Sequence, residues 1–569
     1  MSLSKSTRRH FLKGSVSTAG LIGTGLGLGA TWSNQSEAKV LPDNNPKAIV
    51  KTTAGKIRGT IADGVRIYRG IPYGADTGGE NRFLPPQPVE KWDGIRDALE
   101  FGNMAPQAGG IAGAGRPLAD ARITSALFAP LTAQPQSEDC LFLNVWSKGV
   151  GKKANRPVMV WLHGGGFTSG SGASSLYDGI NLCRRGDVVV VTINHRLGAL
   201  AHLNLSPLNK DQYGDKYKNS GMAGMLDAVQ ALEWVRDNIK QFGGDANNVT
   251  IFGESGGGRK VSTLLATPSA KGLFHRAIIQ SGPGLRFPTQ EIATLRTKIL
   301  MEELGLTADQ TDKLLAIPFE KIAAAQGVAE RKTVAQLPES APFFDRYGWS
   351  PVVCDALPHS PFDPEAPQES IDIPVMIGTN RHEMALFISP NKALDTIDMK
   401  MLKAQVKPFA GDKADELIAT YQKQYPEENL RGILLLILAD DRYRMDSIRL
   451  AERKSKKKAA PIYMYRFDWE TPVWNGLLRA SHALEIPFVF NNAQLSDAFT
   501  GGGPDAVQLS AVMSETWMSF ARTGNPNNDM LAKWKPYDSK NRSTMLFSNS
   551  PELVNDPGSV ERLAWQGIR

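Results

Sequence analysis

The sequence predicts an α/β fold: a central, mostly parallel sheet with helices on both faces and two helical insertions roofing the sheet's carboxyl edge. Six short runs rich in β-branched or aromatic residues make the first case for it: "VMVWLH" (158–163), "DVVVVTIN" (187–194), "NVTIFGE" (248–254), "RAIIQS" (276–281), "IPVMIG" (373–378) and "PIYMYRF" (461–467). Several are apolar continuously rather than alternately, as strands buried on both faces of a parallel sheet must be. The second case is "GMLDAVQALEWVRDNIKQF", between the second and third runs, which puts Met225, Val229, Leu232, Val235 and Ile239 on one face of a helix. Strand, helix, strand in that order is a crossover unit. Third, no long-period repeat is evident, which disfavours a solenoid or propeller. Two less regular, mainly helical stretches near 285–345 and 390–455 interrupt the strands. They read as insertions over the edge where such sheets place ligands. The run 109–130, "GGIAGAGRPLADARITSALFAP", reads as an exposed loop at the same cleft.

The chain has 569 residues, 41% hydrophobic and 22% charged, ample for a large core. It opens "MSLSKSTRRHFLKGS", then turns apolar and Gly-rich in "VSTAGLIGTGLGLGA". That is an export signal with a twin-arginine motif, too short and glycine-rich to span a membrane. Residues 1–38 are expected to be this leader, cleaved after Ala38 or at a site near Ala30, and 39–569 a single domain with no stable membrane span. The expected destination is the periplasm, through the twin-arginine machinery, or the exterior in a Gram-positive host. Removing Lys5, Arg8, Arg9, Lys13 and Glu37 takes the net charge from +7 to +4, mild for this size. No basic stripe interleaved with aromatics supports nucleic-acid binding. Cys140, Cys183 and Cys354 are too few for a disulfide scaffold and read as apolar thiols.

The chemistry centres on "IFGESGGGRK" (251–260). Gly253 and Gly257 flank Ser255 in Gly-x-Ser-x-Gly, after a strand and before an apolar helix. On so tight a turn, side chains at the glycines would clash and the serine projects over the sheet, as in the nucleophile elbow of the α/β-hydrolase fold. A serine hydroxyl needs a base oriented by an acid, and in this fold the order is serine, acid, histidine. Order removes His10, His163, His195 and His202, and His275 lies too near the serine. Of His359, His382 and His482, only His482 in "RASHALEIPFVF" follows the late strand and precedes an apolar segment. The acid belongs just past a strand, where Glu383 in "IPVMIGTNRHEMALF" fits, with Asp355 and Asp468 as competitors. "WLHGGGF" (161–167) is a Gly-rich loop directly after a strand, so the amides of Gly165, Gly166 and Gly256 are the candidate oxyanion donors. The phosphate-loop pattern is absent, and no metal or organic cofactor is expected.

Together with "YRGIPYG", "SEDCLFLNVW", "NHRLGAL", "GTNRHEMALF", "SHALEIPFVF" and "WMSFARTGNPN", these segments make nearly the whole mature chain resemble the type B carboxylesterase and cholinesterase family. The resemblance implies a Ser255, Glu383, His482 triad, with Glu254 as an acid beside the histidine. It also implies structural ion pairs Arg82–Glu138 and Arg196–Asp227. By alignment with that family, Phe167, Tyr347, Trp349, Leu386 and Phe387 are candidates for lining the acyl and alcohol pockets. Three positions depart from the family's pattern: Gly256 replaces an alanine, Met384 replaces a glycine, and Cys140 lacks its partner, which would fall near Ala105. The implied activity is that of an exported serine esterase acting on aryl or short to medium alkyl esters through an acyl-enzyme. Amide, carbamate or lactone hydrolysis by the same triad is the alternative, and a non-catalytic binding module is disfavoured by the retained triad.

Arg259 and Lys260 fall in the first turn of the helix after Ser255, where cations oppose the helix dipole. They are expected either to pair with an anion or face solvent, or to recognise an acidic group on the substrate.

Overall fold

The computed structural model describes residues 48–107, 134–149, 154–208, 210–338, 348–389 and 391–568. All lie in the compact unit Val40–Arg569. Eleven strands form the main sheet: β1 (Thr60–Ala62), β2 (Val65–Pro72), β3 (Phe142–Ser147), β4 (Arg156–Leu162), β5 (Val189–Ile193), β6 (Gly244–Glu254), β7 (Arg276–Gln280), β8 (Val375–Asn380), β9 (Ile462–Phe467), β10 (Ser543–Phe547) and β11 (Glu552–Asn555). Their spatial order is β11-β10-β9-β8-β7-β6-β4-β5-β3-β2-β1. Strands β4 to β10 run parallel, while β1, β2 and β3 close one edge antiparallel and β11 closes the other. A small separate sheet joins Ile49–Lys51, Lys56–Arg58 and Ile95–Asp97.

The six runs expected to be strands are β4 to β9, the contiguous centre of the sheet. Their continuous hydrophobicity has the expected cause. In β4, Val158, Val160 and Leu162 enter the core on one face, while Met159 and Trp161 enter the core on the other. Helix α1 (Ala223–Asn238) buries Met225, Val229, Leu232 and Val235 against the first of these cores, and its 3-10 extension buries Ile239. Helix α2 (Gly256–Leu265) leaves the end of β6 and has every residue buried. On the opposite face, α3 (Pro504–Thr523) packs Met513 and Trp517 beneath the sheet, and Trp517 Nε1 donates to Gln280 Oε1 at 3.0 Å.

Two buried ion pairs fasten the loops to this frame. Arg196 donates to Asp227 through Nη2 at 2.6 Å and Nε at 2.9 Å, joining the loop after β5 to α1. Arg82 clasps Glu138 through Nε at 2.7 Å and also donates to the carbonyls of Leu314, Leu315 and Ile317. The first insertion is thereby tied down through its backbone. Its helices Gln290–Glu303 and Phe319–Val334 build a core of their own around Leu300, Leu314 and Ile322. The second contains Met399–Ala410, Ala414–Gln424, Leu430–Ala439 and Met445–Lys456, with a π-helical turn at Asp440–Arg444. Among the described residues no helix is long and apolar enough to cross a membrane. All three cysteines are free thiols, and Cys140 shares a core cluster with Ala105.

Candidate active site

Ser255 sits between β6 and α2 with φ +58°, ψ −121°, a conformation costly for a residue with a Cβ. The turn is possible because its neighbours are glycines. A Cβ on Gly257 would lie 1.9 Å from the Leu162 carbonyl oxygen, and one on Gly253 would lie 2.5 Å from the same atom. The end of β4 thus presses directly on the elbow, and Ser255 is left partly exposed above the sheet.

Glu383 and His482 meet across the ends of β8 and β9. The carboxylate is buried, its Oε1 accepting the Asn380 amide at 2.8 Å and its Oε2 accepting His482 Nδ1 at 2.6 Å. A carboxylate on Nδ1 fixes the proton there and presents Nε2 outward. Nε2 faces Glu254 Oε1 at 3.1 Å, placing that acid beside the histidine. Ser255 Oγ makes no hydrogen bond among the described residues; such serine–histidine contacts commonly tighten only when substrate binds. Burial alone would lower the imidazole's pKa, but Glu254, Glu383 and Glu485 outweigh it and push it up to about 9. Burial, and then Glu485 and Glu383, drives Glu254 upward against the opposing pull of the His482 imidazolium, so ionised Glu254 and protonated His482 stabilise each other; burial and Glu383 bring Glu485 up to about 7. The rings of Tyr443 and Phe387 flank the imidazole at 4.9 and 5.2 Å.

The competing acids and histidines are engaged elsewhere. Asp468 forms a two-pronged pair with Arg466, both contacts 2.6 Å, and Asp355 is exposed against Lys218 at 3.4 Å. His359 contacts Glu369 at the surface, while His382 is held neutral by burial and by Arg381, Arg479 and Arg466.

The loop 163–167 carries the candidate oxyanion donors, with Gly165 and Gly166 at φ +85° and +63°. Neither amide donates a hydrogen bond within the described residues. The surroundings of Lys260 differ from both readings of the sequence. Lys260 is 0% exposed, and Nζ donates to the carbonyls of His163 at 2.9 Å and Gly166 at 3.0 Å. No carboxylate pairs with it among the described residues, and burial lowers its pKa to about 7. Carbonyl dipoles from the oxyanion loop take the place of the expected anion. Arg259 is buried too, its guanidinium 5.7 Å from the Phe167 ring centroid and 5.6 Å from that of Phe287. A solvated face is excluded for both cations because every residue of α2 is buried.

Of the candidate pocket residues, Phe167 and Phe387 lie at the site, and Leu386 is buried one residue before Phe387. Trp349 packs in the first insertion's own core, its Nε1 donating to the Gln326 carbonyl at 3.2 Å. Tyr347, the loop 109–130 and the leader 1–38 lie outside the described residues. Sequence reasoning missed Tyr443 and Phe287. Both come from irregular insertions in which no motif marks a side chain, although a π-turn such as that around Tyr443 often accompanies function.

Comparison with known proteins follows the same lines. The sequence profile of the Carboxylesterase family matches residues 46–564. The para-nitrobenzyl esterase of Bacillus subtilis (strain 168) is 36% identical over 529 residues, spanning 90% of this chain and 97% of that protein. Phenmedipham hydrolase of Pseudarthrobacter oxydans is 31% identical over 524 residues, 90% of this chain and 97% of its own length. Among solved structures, the Geobacillus stearothermophilus carboxylesterase EST55 superposes with a TM-score of 0.76 at 35% identity, covering 91% of this chain and all of that one (100%).

Proposed function

The chain belongs to the carboxylesterase family and is a carboxylic ester hydrolase of the α/β-hydrolase fold, and from that premise we propose that Ser255, His482 and Glu383 are its nucleophile, base and orienting acid. The observation that carries this reading is the 2.6 Å contact of Glu383 with His482 Nδ1, whose Nε2 lies 3.1 Å from Glu254, the residue before a serine held at positive φ.

In this reading His482 Nε2 takes the Ser255 proton as Oγ attacks the ester carbonyl. The carbonyl oxygen becomes an oxyanion facing the amides of Gly165, Gly166 and Gly256, donors already in place before the charge develops. Collapse breaks the ester bond, the histidine returns its proton to the leaving alcohol, and the acyl group stays on Ser255. Water then attacks the acyl-enzyme, again losing its proton to His482, which returns it to Ser255 Oγ as the acyl bond breaks and the acid departs. Glu254, 3.1 Å from Nε2, stabilises the imidazolium formed at each step.

The aromatic walls supplied by Phe167, Phe287, Phe387 and Tyr443 favour uncharged aryl or short to medium alkyl esters. Hydrolysis of para-nitrophenyl esters across acyl lengths tests both parts. Wild type should show a chain-length optimum and Ser255→Ala should lose activity at every length. A preference for highly charged esters would overturn the substrate assignment. Residues 1–38 are read as a twin-arginine leader; replacing Arg8 and Arg9 by Lys should trap the precursor inside the cell, and undiminished export would refute that assignment.

A further inference from the structure

The oxyanion loop can be accounted for carbonyl by carbonyl. The His163 carbonyl accepts from Lys260 Nζ at 2.9 Å, and the Gly164 carbonyl accepts from His163 Nδ1 at 2.9 Å. The Gly165 carbonyl accepts from the Ser169 amide at 3.0 Å, the Thr168 amide at 3.3 Å and Ser169 Oγ at 3.1 Å. The Gly166 carbonyl accepts from Lys260 Nζ at 3.0 Å. A trans peptide is planar, so fixing each carbonyl also fixes the direction of the N–H on the same plane. Two glycines at positive φ would otherwise leave those planes free to turn. One ammonium group therefore holds the first and last planes of the loop, on either side of the two whose amides face the reacting carbonyl.

The third donor belongs to the same unit. A Cβ on Gly256 would lie 2.0 Å from the Gly166 carbonyl oxygen, so that oxygen rests directly on the residue after the nucleophile. Gly256 and Lys260 share helix α2. The lysine reaches back along the helix and draws the loop onto the helix start, where the Gly166 carbonyl occupies the space that a methyl group at 256 would fill.

From this geometry we infer that Lys260 is a positioning residue for ester hydrolysis: its Nζ, donating to two loop carbonyls, locks the oxyanion loop onto the nucleophile helix, in register with a glycine required at 256. The inference rests on the oxyanion assignment to Gly165, Gly166 and Gly256 made above. It gives Lys260 a role in transition-state stabilisation and none in substrate charge recognition, since the side chain is fully buried and turned toward the backbone.

A double-mutant cycle on the full chain, with a para-nitrophenyl ester as probe, tests it. Lys260→Met keeps the length and removes the donors. It should lower kcat about 10- to 100-fold, less than or comparable to deleting an oxyanion donor outright, with KM changed less than about 3-fold. Gly256→Ala should lower kcat by a similar factor by displacing the Gly166 carbonyl. Because both act through that one carbonyl, the double variant should fall no more than about 3-fold below the worse single variant. Thermal midpoints and circular dichroism establish that each variant is folded; if Lys260→Met is not, Lys260→Ser, too short to reach the loop, takes its place. Wild-type kcat in the lysine variant, or losses that multiply in the double variant, would overturn the inference. Turnover that does not depend on Ser255 would instead show that the underlying site assignment is at fault.

Discussion

Lys260 makes a thermodynamic prediction that can be worked through from its surroundings. The group is fully buried with no carboxylate partner among the described residues, and its pKa in the folded protein is about 7 against an ordinary value of 10.5. Below pH 7 the lysine is protonated in both folded and unfolded chains, and its contribution does not change with pH. Between 7 and 10.5 the unfolded chain still holds the proton that the folded chain has released, so raising the pH favours the folded state. At about 1.4 kcal/mol per pH unit the whole window is worth at most roughly 5 kcal/mol, and the part between pH 7 and 9 on the order of 2 to 3 kcal/mol. The measurement is chemical denaturation of wild type and Lys260→Met at a series of pH values, taken as a difference so that other titrations cancel. His163, His195 and His202, which pack near the lysine, have pKa values lowered chiefly by burial and are neutral across this window. Wild type should gain stability on the variant steadily from pH 7 to 9. A flat difference would mean that the ammonium is not desolvated, and the reasoning about its burial would be wrong.

Other consequences follow from the same structure. Glu254→Gln removes the carboxylate facing His482 Nε2, so the imidazole loses its proton at lower pH. The acidic limb of the kcat/KM profile should move down by about 1 to 3 pH units, and a limb that stays in place would refute the coupling. Glu383→Gln leaves the shape but not the Nδ1 acceptor; kcat should fall on the order of 10⁴-fold, and a fall under tenfold would argue for another orienting acid. Asp227→Asn strands the buried Arg196 guanidinium and should cost about 3 to 5 kcal/mol, read as a lowered denaturation midpoint; unchanged stability would contradict the pair's structural role.

The centre of the molecule is legible in the sequence because burial on both faces writes itself as uninterrupted apolar runs; β4 to β9 are the strands for which this holds. The edge strands escape that signal. β1 and β11 are short and partly exposed, while β3, two strands in from the edge, is fully buried yet its run "FLNVWS" is broken by Asn144, which hydrogen-bonds to Thr192 inside the sheet. The positions proposed as the triad were reachable because elbow and base sit at fixed places relative to strands, and because the acid follows a strand directly. Distance in the chain hid what lies around them. Nothing local to Tyr443 indicates that a π-turn carries its ring to 4.9 Å from His482. Lys260 shows the opposite failure, and for Arg259 the solvated-face reading fails in the same way. Their local signal, charge at a helix start, is clear, but it is governed by where the helix sits, and α2 is buried along its whole length.

The central claim, that esters are cleaved through an acyl group carried on Ser255, is tested most directly by rapid mixing with excess para-nitrophenyl ester followed by mass analysis of the quenched protein. Wild type should give a burst of para-nitrophenol approaching one equivalent when deacylation is the slower step and an acyl adduct on the peptide containing Ser255, with neither burst nor adduct in Ser255→Ala. Undiminished turnover in that variant, or an adduct mapping to another residue, would contradict it.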